Sequence, residues 1–339
     1  MTYEDIARAA GVSTATVSRV LTGSGAVSAA RAKRVMDAVE QLSYRSSRPA
    51  RTLRRQRADT IGLIVSDVEY PFVASMARAV EQAAAERGFA LTVCNTDEDL
   101  ERERTYVDLM LEEKVAGVIA APATEDSPNL TPLLEAGTPV VTVDRLIADR
   151  RADAVLLDNA IATRLLVDDL LAHGHRSFVA VLGTTTATPS RERLAAMRAA
   201  LASTSGTTLT VAASGLRETV GVQHTLETIG ASVLRLTASM RERPTAFVCA
   251  NAIMLTSLME TFQRAGIRVP DDAAVVGFDD MPGFSLFAAP VTVVAQPVRL
   301  IGRSAVDLLF DHMHNPTRER RVVRVAPELI LRRSCGHGG

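Results

Sequence analysis

Residues 4–21 read Glu-Asp-Ile-Ala-Arg-Ala-Ala-Gly-Val-Ser-Thr-Ala-Thr-Val-Ser-Arg-Val-Leu, and they carry the strongest structural signal in the chain. Their apolar positions follow helical spacing on both sides of Gly11, which can adopt positive φ at little cost and so permits a sharp turn. Ser13 is a preferred residue type for the N-cap of a second helix. The positions expected to face inward are Ile6, Ala7, Ala10, Val17, Val20 and Leu21.

The residues on the outward face of the second helix indicate the function of this pair of helices. Inward-facing valines and leucine leave Thr14, Ala15, Ser18 and Arg19 on the outside. A helix-turn-helix with such a second helix suits the major groove of DNA. The alternative is an ordinary pair of core helices.

Charge is distributed unevenly along the chain. Residues 1–58 contain 11 basic and 4 acidic side chains, or +7 by count, whereas the whole chain has a net charge of −1. Residues 59–339 therefore carry −8. A basic terminal block is the expected electrostatic footprint of a protein that binds the phosphates of duplex DNA. A solvated run of charges is the usual alternative, but here the charges accompany a helix-turn-helix.

Length and composition predict a cytoplasmic protein of several domains. The chain has 339 residues, of which 47% are hydrophobic, and it contains three scattered cysteines. The cysteines have neither metal-site spacing nor the pattern of a disulfide framework. No apolar run is long enough for a membrane span, and no secretion signal opens the sequence. We expect no metal, cofactor or membrane partner.

Beyond residue 58 the pattern changes to alternating strands and helices. Residues 60–66 form a continuous apolar run, which is typical of a strand buried on both faces. Two successive series follow, and they predict an α/β fold with two lobes of parallel sheet flanked by helices. Ligands of such sheets bind beyond the carboxyl ends of the strands, so a cleft between the lobes is the expected binding site. The expected strands lie near 60–66, 90–94, 115–120, 139–143, 154–157, 178–182, 208–212, 245–249 and 273–278.

A series of short motifs, in order along nearly the whole chain, resembles the lactose-repressor/galactose-repressor family of bacterial regulators. The motifs are Thr2–Leu21, Val27-Ser28 with Val35, Val39, Leu42 and Tyr44, Ala50–Leu53, Ile61–Ile64, Asp144-Arg145, Asp158-Asn159, Gly174-His175, Arg193-Leu194, Val269–Asp272, Val276–Asp280, Pro327–Leu329 and Arg332–Ser334. Each motif is only moderately specific, and their shared order carries the resemblance.

The resemblance implies a homodimeric transcriptional repressor with three parts. These are a three-helix DNA-binding head at 1–45, a hinge helix or linker at 46–58, and a core at 59–339 similar to periplasmic sugar-binding proteins. One lobe of the core would hold about 59–161 and 295–322, and the other about 162–294 and 323–339. Three crossings between the lobes would allow hinge-like closure.

The resemblance also assigns DNA contacts. Thr14, Ala15 and Arg19 match the family's base-reading positions, and arginine can donate two hydrogen bonds to guanine. Ala50 and Leu53 fall in the hinge segment, where Leu53 matches a leucine that wedges into the minor groove. Hydroxyls that would contact phosphates and fix register belong to Thr2, Ser13, Thr16, Ser18, Ser28 and Tyr44.

For the hinge segment the alternative is a flexible basic linker. The family's usual Pro-Asn is Ser46-Ser47 here, and Pro49 lies inside the segment. Proline is tolerated in the first turn of a helix, so a hinge helix remains compatible with the sequence.

An effector pocket is expected in the cleft. Arg193 and Asp279 match family positions that hold polar groups of a ligand. Further candidates are Phe72, Asp144, Asn251 and Gln296, with Arg191 and Asp158 as weaker ones. A strand-end cap or a contact between the lobes is the alternative for each of these.

Several positions depart from the family's pattern: Tyr70, Val73, Ala196, Leu216 and Ala252. They leave open a sugar-like effector, another small metabolite, or a weakened response. A solute-binding protein would need an export signal and no basic head. An enzyme would need a phosphate loop, a nucleophile elbow or a metal cluster, and the sequence has none of these patterns.

Overall fold

The computed structural model describes residues 2–22, 27–42, 59–149, 151–183, 187–213, 232–235, 237–238 and 245–336. The chain divides into two compact units, residues 1–58 and 59–339. The predicted hinge segment, including Ala50 and Leu53, lies outside the described residues, as do Tyr44 and Leu216.

The first unit contains the predicted helix-turn-helix and a third helix. The three helices are α1 (Tyr3–Ala10), α2 (Thr14–Thr22) and α3 (Ala29–Gln41). Gly11 ends α1 with φ of 62°, as the turn requires. Ser13 Oγ accepts a hydrogen bond from the Thr16 N–H at 3.2 Å, so the expected cap of α2 forms. Ile6, Val17 and Val35 are fully buried and hold the three helices together.

The second unit alternates strands with helices, because continuous apolar runs of four to six residues favour strands buried on both faces. Its strands are β1 (Thr60–Val65), β2 (Ala90–Asn95), β3 (Gly117–Ala120), β4 (Val140–Val143), β5 (Asp153–Leu157), β6 (Ser177–Leu182), β7 (Thr208–Ala213), β8 (Ala246–Cys249), β9 (Ala274–Phe278), β10 (Thr292–Ala295), β11 (Val322–Val325) and β12 (Glu328–Ile330). Its helices are α4 (Pro71–Ala85), α5 (Leu100–Glu112), α6 (Thr131–Glu135), α7 (Asn159–Ala172), α8 (Thr188–Ala202), α9 (Ala252–Arg264) and α10 (Val298–His314).

These strands form two six-stranded sheets, one for each lobe. The first has the order β11-β5-β4-β3-β1-β2, and all of its pairs are parallel. The second has the order β12-β10-β9-β8-β6-β7 and is parallel except for β10 with β12. Together with the helix-turn-helix, this confirms the predicted α/β fold class.

The described chain passes between the two sheets at three places. They are the β5–α7 junction near Asp158, the segment after β10 at Gln296, and the β11–β12 connection at 326–327. Because β11 pairs with β5, the third crossing lies a few residues beyond the boundary near 322 that the resemblance implied. No described helix is both long and apolar enough to span a membrane.

Close helix packing covers one face of the first sheet. In the contact between α10 and α4, a Cβ built on Gly302 would lie 2.7 Å from Ala79 Cβ and 3.1 Å from the backbone nitrogen of Val80. Neither atom can move without moving α4, so the two helices approach this closely only because position 302 has no side chain.

We expect Gly302→Val to destabilise the chain by about 2 kcal/mol, since overpacking a rigid helix contact costs about 1–3 kcal/mol. Urea unfolding followed by circular dichroism measures the change. Arg303→Val, at the next, exposed position of the same helix, is the control and should change stability by less than about 0.5 kcal/mol. Equal stability of the two variants would contradict the packing described here.

Candidate functional site

The second helix of the head exposes the side chains expected to read bases. Thr14, Ala15 and Arg19 are exposed on α2, whereas Val17 between them is fully buried. One face of α2 therefore packs into the head, and the opposite face is accessible. Their role in base recognition remains a prediction.

The described hydroxyl side chains expected to meet phosphates lie just before the three helices and on α2 itself. Ser13, Thr2 and Ser28 are exposed, and Thr16 and Ser18 are partly exposed. Ser13 Oγ lies 3.0 Å from Thr16 Oγ1, and the Thr2 N–H donates to Asp5 at 2.8 Å. That hydrogen bond from Thr2 holds the pKa of Asp5 below its usual value. The N-termini of α1 and α2 are thus ordered by local hydrogen bonds.

A second candidate site lies in the core, in a nearly closed crevice between the two sheets whose free volume is about 20 Å³. Loops that follow the carboxyl ends of strands from both sheets contribute to it, as expected for open parallel sheets. Its lining residues are Ser66, Tyr70, Phe72, Val73, Met76, Ala121, Asp144, Arg145, Pro189, Arg193, Asn251, Asp279 and Gln296.

All six predicted effector residues lie in this lining. Phe72 lies on α4 and Arg193 on α8, whereas Asp144, Asn251, Asp279 and Gln296 follow strands, and the six meet only in the folded core. The structure therefore brings the predicted set together, although ligand binding by these residues stays a prediction. The sequence motifs did not assign Ser66 or Arg145 to the pocket, and Tyr70 was named only as a departure from the family's pattern there. Tyr70 precedes α4 two residues before Phe72, and this closeness in sequence is the signal that could have indicated it.

Arg193 is a buried cation at the base of the crevice. Its Nε donates to Asn159 Oδ1 at 2.8 Å, and its Nη1 donates to the carbonyl oxygen of Ala250. The guanidinium carbon lies 3.9 Å from the centre of the Phe278 ring. With 6% of the residue exposed, the guanidinium is fixed in one orientation by two acceptors and one aromatic face.

Asp279 supplies a buried carboxylate to the same crevice. It follows β9 with φ of 70°, a left-handed conformation that aspartate adopts more readily than most residues. Its Oδ1 accepts from Gln296 Nε2 at 2.7 Å, and its Oδ2 accepts from the hydroxyl of Tyr70. Asp279 belongs to the second lobe and Tyr70 to the first, so this contact joins the lobes.

Asp144 and Arg145 line the first-lobe side. Asp144 also has a left-handed backbone, with φ of 63°, where β4 ends. Arg145 is 3% exposed and pairs with the buried Glu98, and its Nη1 donates to the carbonyl oxygens of Pro122 and Ala123. These contacts compensate the charge of Arg145 within its own lobe.

Polar contacts also join the lobes along the start of α8. The Leu146 N–H donates to Thr188 Oγ1 at 2.9 Å, and Thr188 and Arg191 both bind Glu125. Arg191 was a weaker effector candidate. In the structure it is an exposed residue paired with Glu125 across the crevice, and that hydrogen bond raises the pKa of its guanidinium.

A further ion pair across the lobes joins Glu192 on α8 to Arg324 on β11, with N–O distances of 2.6 and 2.9 Å. Burial opposes ionisation of Glu192, but hydrogen bonds from Arg324 and Asn159 outweigh it and hold the pKa of Glu192 below its usual value. Asp158, the other weaker candidate, accepts from the Ile161 N–H and caps α7. Its position therefore fits a helix cap.

Family models match two parts of the chain. The model described as bacterial regulatory proteins, lacI family, matches residues 2–47. The model described as a periplasmic binding protein-like domain matches residues 167–335. The first region covers the helix-turn-helix, and the second covers most of the second lobe.

Individual relatives match over nearly full length. The HTH-type transcriptional repressor PurR of Photobacterium profundum is 32% identical over 98% of both chains. Among solved structures, the lac repressor dimer bound to operator and the anti-inducer ONPF has a TM-score of 0.81 at 25% identity, with 99% of both chains covered. A complex of the transcriptional regulator CelR with cellobiose has a TM-score of 0.69 at 27% identity, covering 98% of this chain and 99% of that one.

The lowered pKa of Glu192 makes a pH-dependent prediction. A carboxylate with a depressed pKa stabilises the fold above its unfolded value near 4.5, and the contribution is lost as the pH falls through the lower folded value. We expect Glu192→Gln to lower the free energy of unfolding by about 1 kcal/mol near pH 7.

Urea unfolding between about pH 7 and about pH 3.5 should show this difference shrinking as the pH falls. The control is Glu113→Gln, which changes an exposed carboxylate. A deficit for Glu192→Gln that is independent of pH would show that the ionised form of Glu192 contributes nothing.

Proposed function

The chain belongs to the lacI family of bacterial regulatory proteins, and we propose that it binds a pseudo-palindromic operator as a homodimer under the control of a small molecule. Family membership confirms the resemblance found in the sequence, and the full-length relatives are named as transcriptional repressors. The protein would therefore act in the bacterial cytoplasm, where it is bound to DNA when it represses transcription. The observation that carries it is the exposed row Thr14, Ala15 and Arg19 on α2.

This row has the chemistry needed to read base edges. The Arg19 guanidinium can donate two hydrogen bonds to guanine O6 and N7, which discriminates against other bases by about 1–3 kcal/mol. Ala15 offers only a methyl group, which suits the methyl of thymine. The charge of +7 on residues 1–58 supplies the attraction to phosphates, independent of sequence, and the surrounding hydroxyls fix the register.

A homodimer places two such helices in successive major grooves of one face of the duplex. Because the dimer has two-fold symmetry, its preferred operator repeats as inverted half-sites. The structurally similar lac repressor was solved as a dimer bound to operator, which supports this arrangement. By the family resemblance, Leu53 inserts into the minor groove between the half-sites, with Ala50 beside it.

The crevice of the core is the proposed effector site. Asp144 and Asp279 offer acceptors, while Arg193 and Asn251 offer donors, and Phe72 and Val73 add apolar surface. This mixture suits a sugar-like ligand, which has hydroxyls and apolar ring faces. The CelR structure contains cellobiose, which supports the same class. A different small metabolite is the alternative, because the Tyr70 hydroxyl already donates a hydrogen bond to Asp279, one of the acceptors of the site.

The arrangement of the two lobes relative to each other would control DNA binding. A ligand that binds one arrangement of the lobes better than another shifts the population towards it. Coupling energies of this kind are about 1–3 kcal/mol, which changes operator affinity by about 5- to 150-fold.

Selection of bound sequences from a random duplex pool tests the DNA-binding proposal. We expect the full chain to enrich an inverted repeat with a salt-dependent affinity, because phosphate binding releases counterions. Arg19→Ala should lose base preference at one position in each half-site. Arg8→Ala removes an equal charge from α1 and should keep the whole pattern.

An affinity independent of salt, or an enriched sequence without two-fold symmetry, would contradict the proposal. Repeating the selection with sugars, polyols and nucleobases identifies the effector class. An unchanged pattern and affinity with every ligand would contradict effector control.

A further inference from the structure

The side chain of Tyr70 lies inside the crevice that the proposed effector would occupy. Only 7% of the residue is exposed, although it belongs to a loop after β1. Its ring lies 6.0 Å from the ring of Phe72, centre to centre. Tyr70 thus fills part of the site with an aromatic ring that carries a hydroxyl.

The backbone holds this tyrosine in place. The Tyr70 N–H donates to the Asp67 carbonyl at 3.2 Å, and its own carbonyl accepts from the Ala74 N–H at 3.0 Å. Proline follows it as the first residue of α4, so the loop enters the helix in a restricted conformation. Tyr70 is therefore positioned by the start of α4 and by the turn from Asp67.

The hydroxyl of Tyr70 completes the hydrogen bonding of Asp279. Gln296 Nε2 donates to Asp279 Oδ1 at 2.7 Å, and the phenol donates to Oδ2, so each carboxylate oxygen has a donor from the chain itself. Burial, together with the charge of Asp279, raises the pKa of Tyr70 far above its usual value. The phenol consequently remains a donor across the physiological pH range.

We propose that Tyr70 acts as an internal ligand of the interlobe site: it holds the lobes together without an effector, and it restricts the site to ligands whose hydroxyl or N–H group can replace the phenol on Asp279. The inference rests on the proposed effector function of the crevice. It adds a residue that decides which ligand the crevice accepts.

The chemistry of replacement defines the ligand class. A ligand that moves Tyr70 away must supply a donor to Asp279 Oδ2, because an unsatisfied buried carboxylate oxygen is costly. Within the described part of the chain, Gln296 Oε1 is a buried acceptor with no hydrogen-bond donor. A ring with two neighbouring donor groups could therefore satisfy Asp279 and Gln296 together.

The hydrogen bond between Leu146 and Thr188, at the edge of the crevice, reports directly whether the two lobes are together. The Leu146 N–H donates to Thr188 Oγ1 at 2.9 Å across the crevice, so it is protected from solvent exchange only while the lobes are together. The Val118 N–H donates to the Pro139 carbonyl at 2.9 Å within the first sheet, and opening of the crevice leaves that bond intact.

Hydrogen exchange on the full chain, without DNA or small molecules, tests the proposal. In Tyr70→Phe we expect the Leu146 amide hydrogen to exchange about tenfold faster than in the wild type, and the Val118 amide hydrogen to exchange at the wild-type rate. Tyr106→Phe, which removes a phenol hydroxyl from a partly buried tyrosine of α5 elsewhere in the first lobe, should leave both rates unchanged. Unchanged exchange at Leu146, or equal acceleration of both amides, would overturn the proposal.

Replacement of the side chain by a free molecule tests the ligand class. In Tyr70→Ala, p-cresol should restore protection of the Leu146 amide, because it is the tyrosine side chain without its backbone. Toluene at the same concentration fills the space without a hydroxyl and should restore less. Equal effects of the two molecules, including no effect, would overturn the requirement for a donor.

These measurements involve no operator and no natural effector. A failure to find operator binding would therefore leave their outcome intact. Failure of the exchange results would likewise leave DNA recognition by α2 unaffected.

Discussion

Parallel strand pairing is the constraint on which the core depends. Each parallel neighbour requires a crossover, so the loops that follow the strands gather along one edge of each sheet. The three crossings between the sheets bring those two edges to the same crevice, where Asp144 follows β4 and Asp279 follows β9. Both aspartates take left-handed backbone conformations at these strand ends, where their side chains line the crevice.

The crevice is closed by the chain's own polar groups. Tyr70 meets Asp279 in the interior, and Glu125 with Arg191 and Glu192 with Arg324 join the lobes at the rim. Each contact pairs one residue from each lobe. Exposed ion pairs contribute little on their own, whereas the buried hydrogen bond to Asp279 leaves an unsatisfied carboxylate if it breaks. Under the proposal, this interior contact contributes more to the cost of opening than either pair at the edge of the crevice.

Much of the fold could be predicted because its signals are local. Apolar runs indicated the strands from β1 to β9 within about two residues, including the partly exposed edge strands β2 and β7. The short strands β10, β11 and β12 were not foreseen, since three or four residues, partly exposed in β11 and β12, resemble loop sequence. Their place in the two sheets depends on tertiary pairing that no local pattern specifies.

The candidate site was predictable in part. Arg193, Asp279 and their four companions could be assigned to one crevice because they match family positions, on helices as well as at strand ends. Tyr70 stood out only as a departure from the pattern, and its bond to Asp279 joins residues 209 positions apart. Which side chain fills a crevice depends on how two lobes meet, and the sequence of one loop does not contain that information.

If the proposal is correct, the state of the crevice controls the affinity of the head for DNA. The operator dissociation constant of Tyr70→Phe, compared with that of Tyr106→Phe on the duplex that the wild type selects, measures this control. We predict a change of about fivefold or more for Tyr70→Phe and none for Tyr106→Phe. Equal affinities, with faster exchange of the Leu146 amide in Tyr70→Phe, would show that crevice opening is not transmitted to DNA binding.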